Sequence, residues 1–168
     1  MRQGAPGNMT IKVGDTLPAM KLMTATADGP KEMSTEDLFR GRKVVLFATP
    51  GAFTPTCSAK HLPGFVQHTD ALKDKGVDAV VCMAVNDPFV MAAWAKDQGV
   101  DGRIVMLADG SGVFTRTMGL ELDLTARGLG VRSQRFALVA DDMKIVHLAV
   151  EAPGGFEVSR AEDVLHAL

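Results

Sequence analysis

Cysteine is scarce in this chain: Cys57 and Cys82 are the only thiols among its 168 residues. A small secreted scaffold held together by disulfides normally carries more cysteines at frequent spacings, so that class of protein is excluded. Two cysteines are more typical of redox chemistry, or of one reactive thiol beside one inert core thiol. The four histidines show no metal-ligand spacing, and we expect neither a metal site nor another cofactor.

A charge excess, a long apolar run and a secretory leader are also missing. The formal net charge of −2 provides no basic surface for nucleic acid, so we expect no such partner. No apolar run is long enough to span a bilayer, so we expect no membrane partner either. Residues 1–8 are small and polar without the apolar core of a signal peptide, which favours a flexible tail or an expression remnant on a cytoplasmic protein.

Strand and helix patterns alternate along the rest of the chain. Continuous apolar runs predict buried strands, and segments with apolar residues on one helical face predict helices between them. The strands are expected at 44–48, 77–85, 104–108, 134–140 and 144–149, and the helices at 57–75, 88–98 and 113–118. The last two strands are joined by a turn, which predicts an antiparallel hairpin.

We expect irregular structure at 120–127 and a last helix opened by a capping box from Ser159 to Glu162. Strands that alternate with helices indicate a largely parallel sheet, and the hairpin adds an antiparallel part. The chain is therefore expected to be an α/β protein with a central mixed sheet flanked by helices, in a single domain over residues 9–168.

Segment 50–57, with the sequence PGAFTPTC, joins the first buried strand to the following helix. Thr54 suits the N-cap and Pro55 the first helical position, which puts Cys57 in the first turn. The free N–H groups and the dipole of that turn favour an anion, so a thiol there should ionise more readily than a free one. Pro63 removes one backbone hydrogen bond, so we expect this first turn to be kinked and less firmly held.

A reactive thiolate needs a cation and hydrogen-bond donors beside it. Thr54 lies three residues before Cys57, and its hydroxyl can donate either to the sulfur or to a substrate oxygen. Arg135 begins an otherwise apolar strand, where an arginine is costly unless an anion lies near it. Arg132, in the same segment, is the alternative cation. His61 lies one helical turn from Cys57 and allows a Cys–His pair of the hydrolase type, but such a position is usually solvent-facing.

The spacing Pro50-x-x-x-Thr54-x-x-Cys57 resembles the active-site motif of the peroxiredoxins. Longer stretches resemble the Prx5, or type II, branch of that family, and the likeness covers nearly the whole chain. These stretches are 49–58, 60–65, 85–91 and 130–136. The resemblance implies a thioredoxin-like fold with an N-terminal extension. It also implies a thiol-specific peroxidase that reduces hydrogen peroxide and small organic hydroperoxides.

The resemblance implies a role for several residues of the loop. Cys57 would be the peroxidatic cysteine, oxidised to a sulfenic acid that thiols can reduce. Thr54 would hydrogen-bond the peroxide and the sulfur, Arg135 would position both, and Pro50 would shield the sulfenic acid from solvent. The family pattern has its functional arginine directly before an aromatic residue, which favours Arg135 over Arg132.

The substrate is expected to lie on the loop backbone. The resemblance implies that N–H groups near Phe53 and Cys57 bind the peroxide oxygens. Phe53 and Gly51 are therefore the expected substrate-binding residues. The family commonly forms homodimers, so a homodimer is expected here. The alternative to a peroxidase is a peroxide sensor or redox relay, in which Cys57 oxidises once and passes the signal to a partner.

Cys82 lies within an apolar strand pattern, which is typical of an inert core thiol. Plant type II relatives have a cysteine at this place that is described as resolving, so a disulfide with Cys57 is the alternative. Against it, Cys82 is expected three residues before the end of its strand, roughly 10 Å from the sheet edge, whereas a disulfide requires Cα atoms within roughly 7 Å. Direct reduction by glutathione and glutaredoxin needs no second cysteine and is favoured, with thioredoxin as the other reductant.

Overall fold

A seven-stranded sheet forms the centre of the molecule. The computed structural model describes residues 10–168, and the tail predicted at residues 1–8 lies outside them. The strands of the sheet are β1 (Lys21–Thr26), β2 (Gly29–Ser34), β3 (Lys43–Ala48), β4 (Ala79–Ala84), β5 (Val105–Ala108), β8 (Phe136–Asp141) and β9 (Lys144–Val150). A separate two-stranded sheet contains β6 (Glu121–Leu124) and β7 (Gly130–Ser133). The helices are α1 (Thr35–Phe39), α2 (Leu62–Asp74), α3 (Pro88–Asp97), α4 (Val113–Thr117) and α5 (Ala161–Ala167).

The central sheet is mixed, as the sequence predicts, but it is not largely parallel, because four of its six strand pairings are antiparallel. Its order is β2-β1-β5-β4-β3-β8-β9, with β3 parallel to β4 and β4 parallel to β5. On either side of this parallel centre, β1 and β8 run antiparallel to their neighbours. The carboxyl ends of β3, β4 and β5 therefore meet at one edge of the sheet, where α/β folds form ligand sites. The loop that carries Cys57 leaves the sheet at this edge.

Strand β3 is buried on both faces because its alternate side chains enter two separate cores. Val44 and Leu46 pack into one core, and Val45 and Phe47 into the other. The ring of Phe47 stacks on Phe65 of α2 with 4.0 Å between centroids. Both cysteines lie in this second core, so α2 and the site share one face of the sheet.

Helix α2 is preceded by a turn of unusual width. Residues Cys57–His61 form a π-helical turn, in which the Leu62 N–H donates to the Cys57 carbonyl. Pro63 lies at the start of α2 and has no N–H to donate. The kink predicted from Pro63 therefore takes the form of one π-helical turn, a feature that is frequent at functional sites.

Several strand expectations need correction: β1 and β2 lie outside the expected strands, and β8 begins at Phe136 and not at residue 134. The segment 120–127, expected to be irregular, contains β6, which pairs antiparallel with β7. Strand β7 supplies hydrogen-bond partners for the backbone of β6, and the sequence of 120–127 alone does not indicate them. Strand β4 ends at Ala84 and not at residue 85, so Cys82 lies two residues before the end of its strand.

The cap of the last helix also differs from the expected one. The backbone N–H of Arg160 donates to the Asp163 carboxylate at 3.0 Å, so the capping pair lies one residue later than the predicted Ser159 and Glu162. Ser159 is unavailable as a cap because its hydroxyl donates to the Glu151 carboxylate at 2.7 Å. The contact of Ser159 with Glu151 has therefore replaced the expected cap at the start of α5.

The buried carboxylate of Asp109 provides a test of the packing at the edge that carries the site. It is 4% exposed and accepts hydrogen bonds from the Phe114 N–H, the Thr115 N–H and the Thr115 hydroxyl. Asp109→Ala leaves these donors without a partner, so we expect the free energy of unfolding to fall by about 2–4 kcal/mol in urea denaturation. The control Asp70→Ala, exposed on α2, should change it by less than about 0.5 kcal/mol. Equal effects of the two substitutions would contradict the capping role.

Candidate active site

Cys57 is fully buried at the start of the π-helical turn. Its Sγ accepts a hydrogen bond from Arg135 Nη2 at 3.1 Å. Arginine carries donors and no acceptor, so the sulfur must be the acceptor in this contact. Because the donor is charged, this hydrogen bond is stronger than one between neutral groups.

The guanidinium of Arg135 is oriented by a second contact. Its Nη1 donates to His61 Nδ1 at 2.9 Å. Because Arg135 can only donate, Nδ1 carries no proton and the hydrogen of the neutral ring lies on Nε2. That Nε2 donates to the Ser159 carbonyl at 2.9 Å. The Arg135 Cζ also lies 5.7 Å from the centroid of the Phe156 ring, within the range of a cation–π contact.

The expectation that His61 faces solvent is wrong. Its side chain is 1% exposed and packs against the rings of Phe47 and Phe65 at centroid distances of 4.9 and 5.6 Å. Burial, followed by the charge of Arg135, lowers the pKa of His61 to about 3. The ring is therefore neutral at physiological pH and serves as an acceptor for Arg135. The signal in the sequence is its spacing of four residues from Cys57, which puts both side chains on one helical face.

The loop before Cys57 is held by its own hydrogen bonds. Thr54 Oγ1 donates to the Gly51 carbonyl at 2.7 Å, so its proton is directed neither to the sulfur nor to a substrate oxygen. Its lone pairs remain available as acceptors. The Ala52 N–H donates to Asn86 Oδ1 at 2.9 Å, which ties the loop to the segment after β4. Sequence reasoning missed this role of Asn86, which is indicated only by its place at the carboxyl end of the neighbouring strand.

The alternative cation, Arg132, contacts the loop and not the sulfur. Its Nη1 donates to the Pro50 carbonyl at 3.3 Å and its Nε to the Leu129 carbonyl at 2.8 Å. A Cβ placed on Gly51 would lie 2.6 Å from Arg132 Nη1, so glycine leaves room for this guanidinium. Arg132 therefore supports the loop, while Arg135 contacts the thiol.

Two backbone donors, one in the loop and one on Cys57 itself, are unused. Within residues 10–168, neither the Phe53 N–H nor the Cys57 N–H donates to a protein acceptor. Phe53 has a left-handed backbone with φ of 63°, and its side chain is 52% exposed. Free N–H groups at such a position suit an oxygen ligand on which charge develops.

A small pocket adjoins the Arg135 side of the site. It has a volume of about 110 Å³, and Pro50, Thr56, Arg135 and Glu151 are among the residues that line it. Cys57 does not line the pocket itself, but it contacts Arg135, which does. The site therefore combines a buried sulfur with a guanidinium that both contacts the sulfur and lines a small cavity, and two N–H groups of the preceding loop and turn are unused.

Cys82 lies inside the sheet, paired with Phe47 of β3 and Met106 of β5. It is fully buried, and neither it nor Cys57 is in a disulfide. Burial, followed by the proximity of Cys57, raises the pKa of Cys82 well above its usual range, while Arg135 acts in the opposite direction. The neutral thiol that results is a poor nucleophile in this conformation.

Comparison with known proteins identifies the family. A family model described as Redoxin matches residues 12–165. Peroxiredoxin-2B of Arabidopsis thaliana is 50% identical over 159 residues, which are 94% of this chain and 98% of that protein. This chain belongs to the peroxiredoxin family.

The chloroplastic peroxiredoxin-2E of A. thaliana is 47% identical, covering 97% of this chain and 71% of that protein. The crystal structure of reduced Prx3 in complex with H2O2 from Vibrio vulnificus matches with a TM-score of 0.90 at 49% identity, covering 94% of this peroxiredoxin and 99% of that chain.

The resemblance stated from the motif and the thioredoxin-like fold that it implies are thereby confirmed. As a peroxiredoxin, the protein is a thiol peroxidase that reduces peroxides. Over the described part of the chain, no three histidine, cysteine or acidic side chains are placed to hold a metal ion together. No helix among residues 10–168 combines the length and the apolar character needed to cross a membrane.

The buried His61 makes the stability of this peroxiredoxin pH-dependent. Its pKa is about 3 in the folded protein and 6.5 as the ordinary value, so the unfolded chain binds more protons between these limits. The stabilisation is complete above the ordinary value and is lost as the pH falls towards the folded value. Between about pH 7.5 and 5.5, the free energy of unfolding should fall by about 1.4 kcal/mol from this group.

Urea denaturation at these two pH values measures the effect, and His61→Gln should remove most of it. His147, whose pKa burial also lowers, contributes in the same direction, so His147→Gln is the matched control. Since His147 is only half-buried, its substitution should remove the smaller share. A pH dependence that survives His61→Gln unchanged would contradict the assignment.

Proposed function

We propose that Cys57 is the peroxidatic cysteine and that the enzyme reduces hydrogen peroxide and small organic hydroperoxides. The observation that carries this proposal is the contact of 3.1 Å between Arg135 Nη2 and Cys57 Sγ beside the small pocket. A volume of about 110 Å³ suits a small oxidant better than a bulky one. The H2O2 complex of the V. vulnificus Prx3, which is 49% identical, supports the same substrate.

The reaction begins with attack of the Cys57 thiolate on one peroxide oxygen. The S–O bond forms while the O–O bond breaks, so the sulfur is oxidised to a sulfenic acid. The other oxygen takes up a proton and leaves as water or an alcohol. Negative charge develops on that leaving oxygen, where Arg135 and the N–H groups of Phe53 and Cys57 stabilise it.

The remaining loop residues assist this step. The Thr54 proton is held by the Gly51 carbonyl, so Thr54 contributes its oxygen as an acceptor for the peroxide hydrogen. Pro50 lines the pocket together with Arg135 and shields the sulfenic acid from water. Gly51 contributes by admitting Arg132 and by fixing the direction of the Thr54 hydroxyl.

The proposed reductant is glutathione with glutaredoxin. One thiol condenses with the sulfenic acid to form a mixed disulfide and water, and a second thiol then releases the Cys57 thiolate. A disulfide between Cys57 and Cys82 is less favoured because Cys82 is enclosed between two neighbouring strands and its thiol is neutral. Thioredoxin remains the second candidate.

Peroxide consumption with glutathione plus glutaredoxin, compared with thioredoxin plus its reductase, tests the proposal. We expect Cys57→Ser to abolish turnover with both reductants and Cys82→Ser to retain most turnover with glutaredoxin. Turnover by Cys57→Ser would overturn the role of Cys57. Collapse of glutaredoxin-dependent turnover in Cys82→Ser would overturn the direct route. Consumption that stops after one equivalent of peroxide in the wild type would instead identify the sensor.

The proposed assembly is a homodimer formed next to the active-site loop. Three large apolar side chains, Phe53, Phe89 and Val113, are 52%, 71% and 49% exposed. Their segments lie together, because Ala52 is hydrogen-bonded to Asn86 and because one cavity beside β1 is lined both by Pro88, next to Phe89, and by Val113. A second copy of the chain is the occupant that we propose for this surface.

Analytical ultracentrifugation tests the dimer. Phe89→Ser removes the most exposed apolar side chain of the described residues, so we expect it to shift the mass from that of a dimer towards that of a monomer. Val146→Ser, which replaces a 46% exposed valine on β9, is the control and should leave the mass unchanged. A monomeric wild type would contradict the proposal.

The cytoplasmic location stays a prediction, because the similar proteins include chloroplastic and mitochondrial ones.

A further inference from the structure

The segment from Glu151 to Ser159, called the 151–159 loop below, closes a ring of hydrogen bonds around Arg135. The Glu151 N–H donates to the Arg135 carbonyl at 2.9 Å, directly after β9. The Glu151 carboxylate accepts from the Ser159 N–H at 2.8 Å and from the Ser159 hydroxyl at 2.7 Å. The Ser159 carbonyl accepts from His61, and His61 accepts from the Arg135 guanidinium. The same loop therefore holds both the backbone and the side chain of Arg135.

The Glu151 side chain is a buried anchor for this loop. It is 7% exposed, and its carboxylate also accepts from the N–H groups of Glu157 and Val158 at 2.9 and 2.8 Å. Burial acts to raise the pKa of Glu151, but the hydrogen bonds from Glu157, Ser159 and Val158 outweigh it, and the pKa lies below its usual value. Glu151 is thus a carboxylate at physiological pH, and it accepts hydrogen bonds from Glu157, Val158 and Ser159 of the loop.

Phe156 gives the loop a second contact with the site. Its ring centroid lies 5.3 Å from that of His61 in an edge-on arrangement and 5.7 Å from the Arg135 Cζ. A loop that loses its anchor would therefore release His61 and uncover Arg135 together.

We propose that Glu151 is a positioning residue for peroxide reduction: through Ser159 and His61 it holds the Arg135 guanidinium against Cys57 Sγ. The proposal rests on the proposed function of Cys57. Glu151 acts through the other members of the ring and not by contact with the reacting atoms. Its effect is therefore on the geometry of Arg135.

Whether the rate with peroxide falls or rises when Glu151 loses its charge distinguishes this positioning role from a simple charge effect. A negative charge near the site opposes the negative charge that develops on the leaving oxygen, so its removal alone would speed the reaction with peroxide. Loss of the anchor instead frees Arg135 to move away from the sulfur and from the peroxide. Small displacements of a positioning group can cost large factors in rate.

Glu151→Gln tests the proposal, because the amide keeps the volume but has no charge and fewer acceptor sites. Stopped-flow kinetics with hydrogen peroxide, the alkylation rate of Cys57 by iodoacetamide and thermal unfolding are measured on the same samples. We expect the rate constant with peroxide to fall about ten-fold or more, and to fall further than the alkylation rate. General destabilisation would lower the unfolding temperature without changing the ratio of the two rates in the folded enzyme.

Glu162→Gln, an exposed carboxylate on α5, is the matched control and should leave both rates unchanged. Ser159→Ala removes one of the donors to Glu151, so it should lower the same ratio by a smaller factor, and it decides the matter if Glu151→Gln does not fold. An unchanged or increased ratio in a folded variant would overturn the proposal. So would an equal fall in Glu162→Gln. Failure of the proposed function is seen separately, as wild-type protein without Cys57-dependent turnover.

Discussion

The contact between the Arg135 guanidinium and the Cys57 sulfur is the constraint that the rest of the site satisfies. Moving a charged group partly out of water is costly unless its donors are paired. Here the sulfur takes one donor and the neutral ring of His61 takes another. The imidazole can accept this bond only because burial and the neighbouring charge keep it unprotonated. A protonated ring would repel Arg135, so the low pKa of His61 and the position of the guanidinium depend on each other.

The fold supplies these groups from separate parts of the chain. Cys57 follows β3, Arg135 precedes the antiparallel neighbour β8, and the loop after β9 closes over both. The π-helical turn is also tied sideways, because the Trp94 indole of α3 donates to the Ser58 hydroxyl at 3.0 Å. The turn is therefore held by a side-chain contact as well as by its own backbone hydrogen bond.

Much of this arrangement was predictable from local sequence. The apolar runs, the glycine- and proline-containing loop and the spacing of Thr54 and Cys57 have physical causes that act within a few residues. Two expectations failed because another partner intervened, a distant one for His61 and a local one for Thr54. His61 was expected in solvent but is covered by the core and by Phe156. The Thr54 proton was expected to point to the sulfur or the substrate but is taken by the Gly51 carbonyl.

The sequence by itself determined the order of β3, β4, β5, β8 and β9 and of the helices between them, the helical turn that receives Cys57 and the family likeness carried by its motifs. These features depend on short-range patterns of apolar residues, prolines and caps. Only the tertiary structure decided which arginine reaches the sulfur, that His61 is buried and neutral, and that Ser159 binds Glu151 and does not cap α5. The physical reason is competition among partners. A hydrogen-bonding side chain takes the partner that folding brings within reach, and residues far away in the chain decide which partner that is.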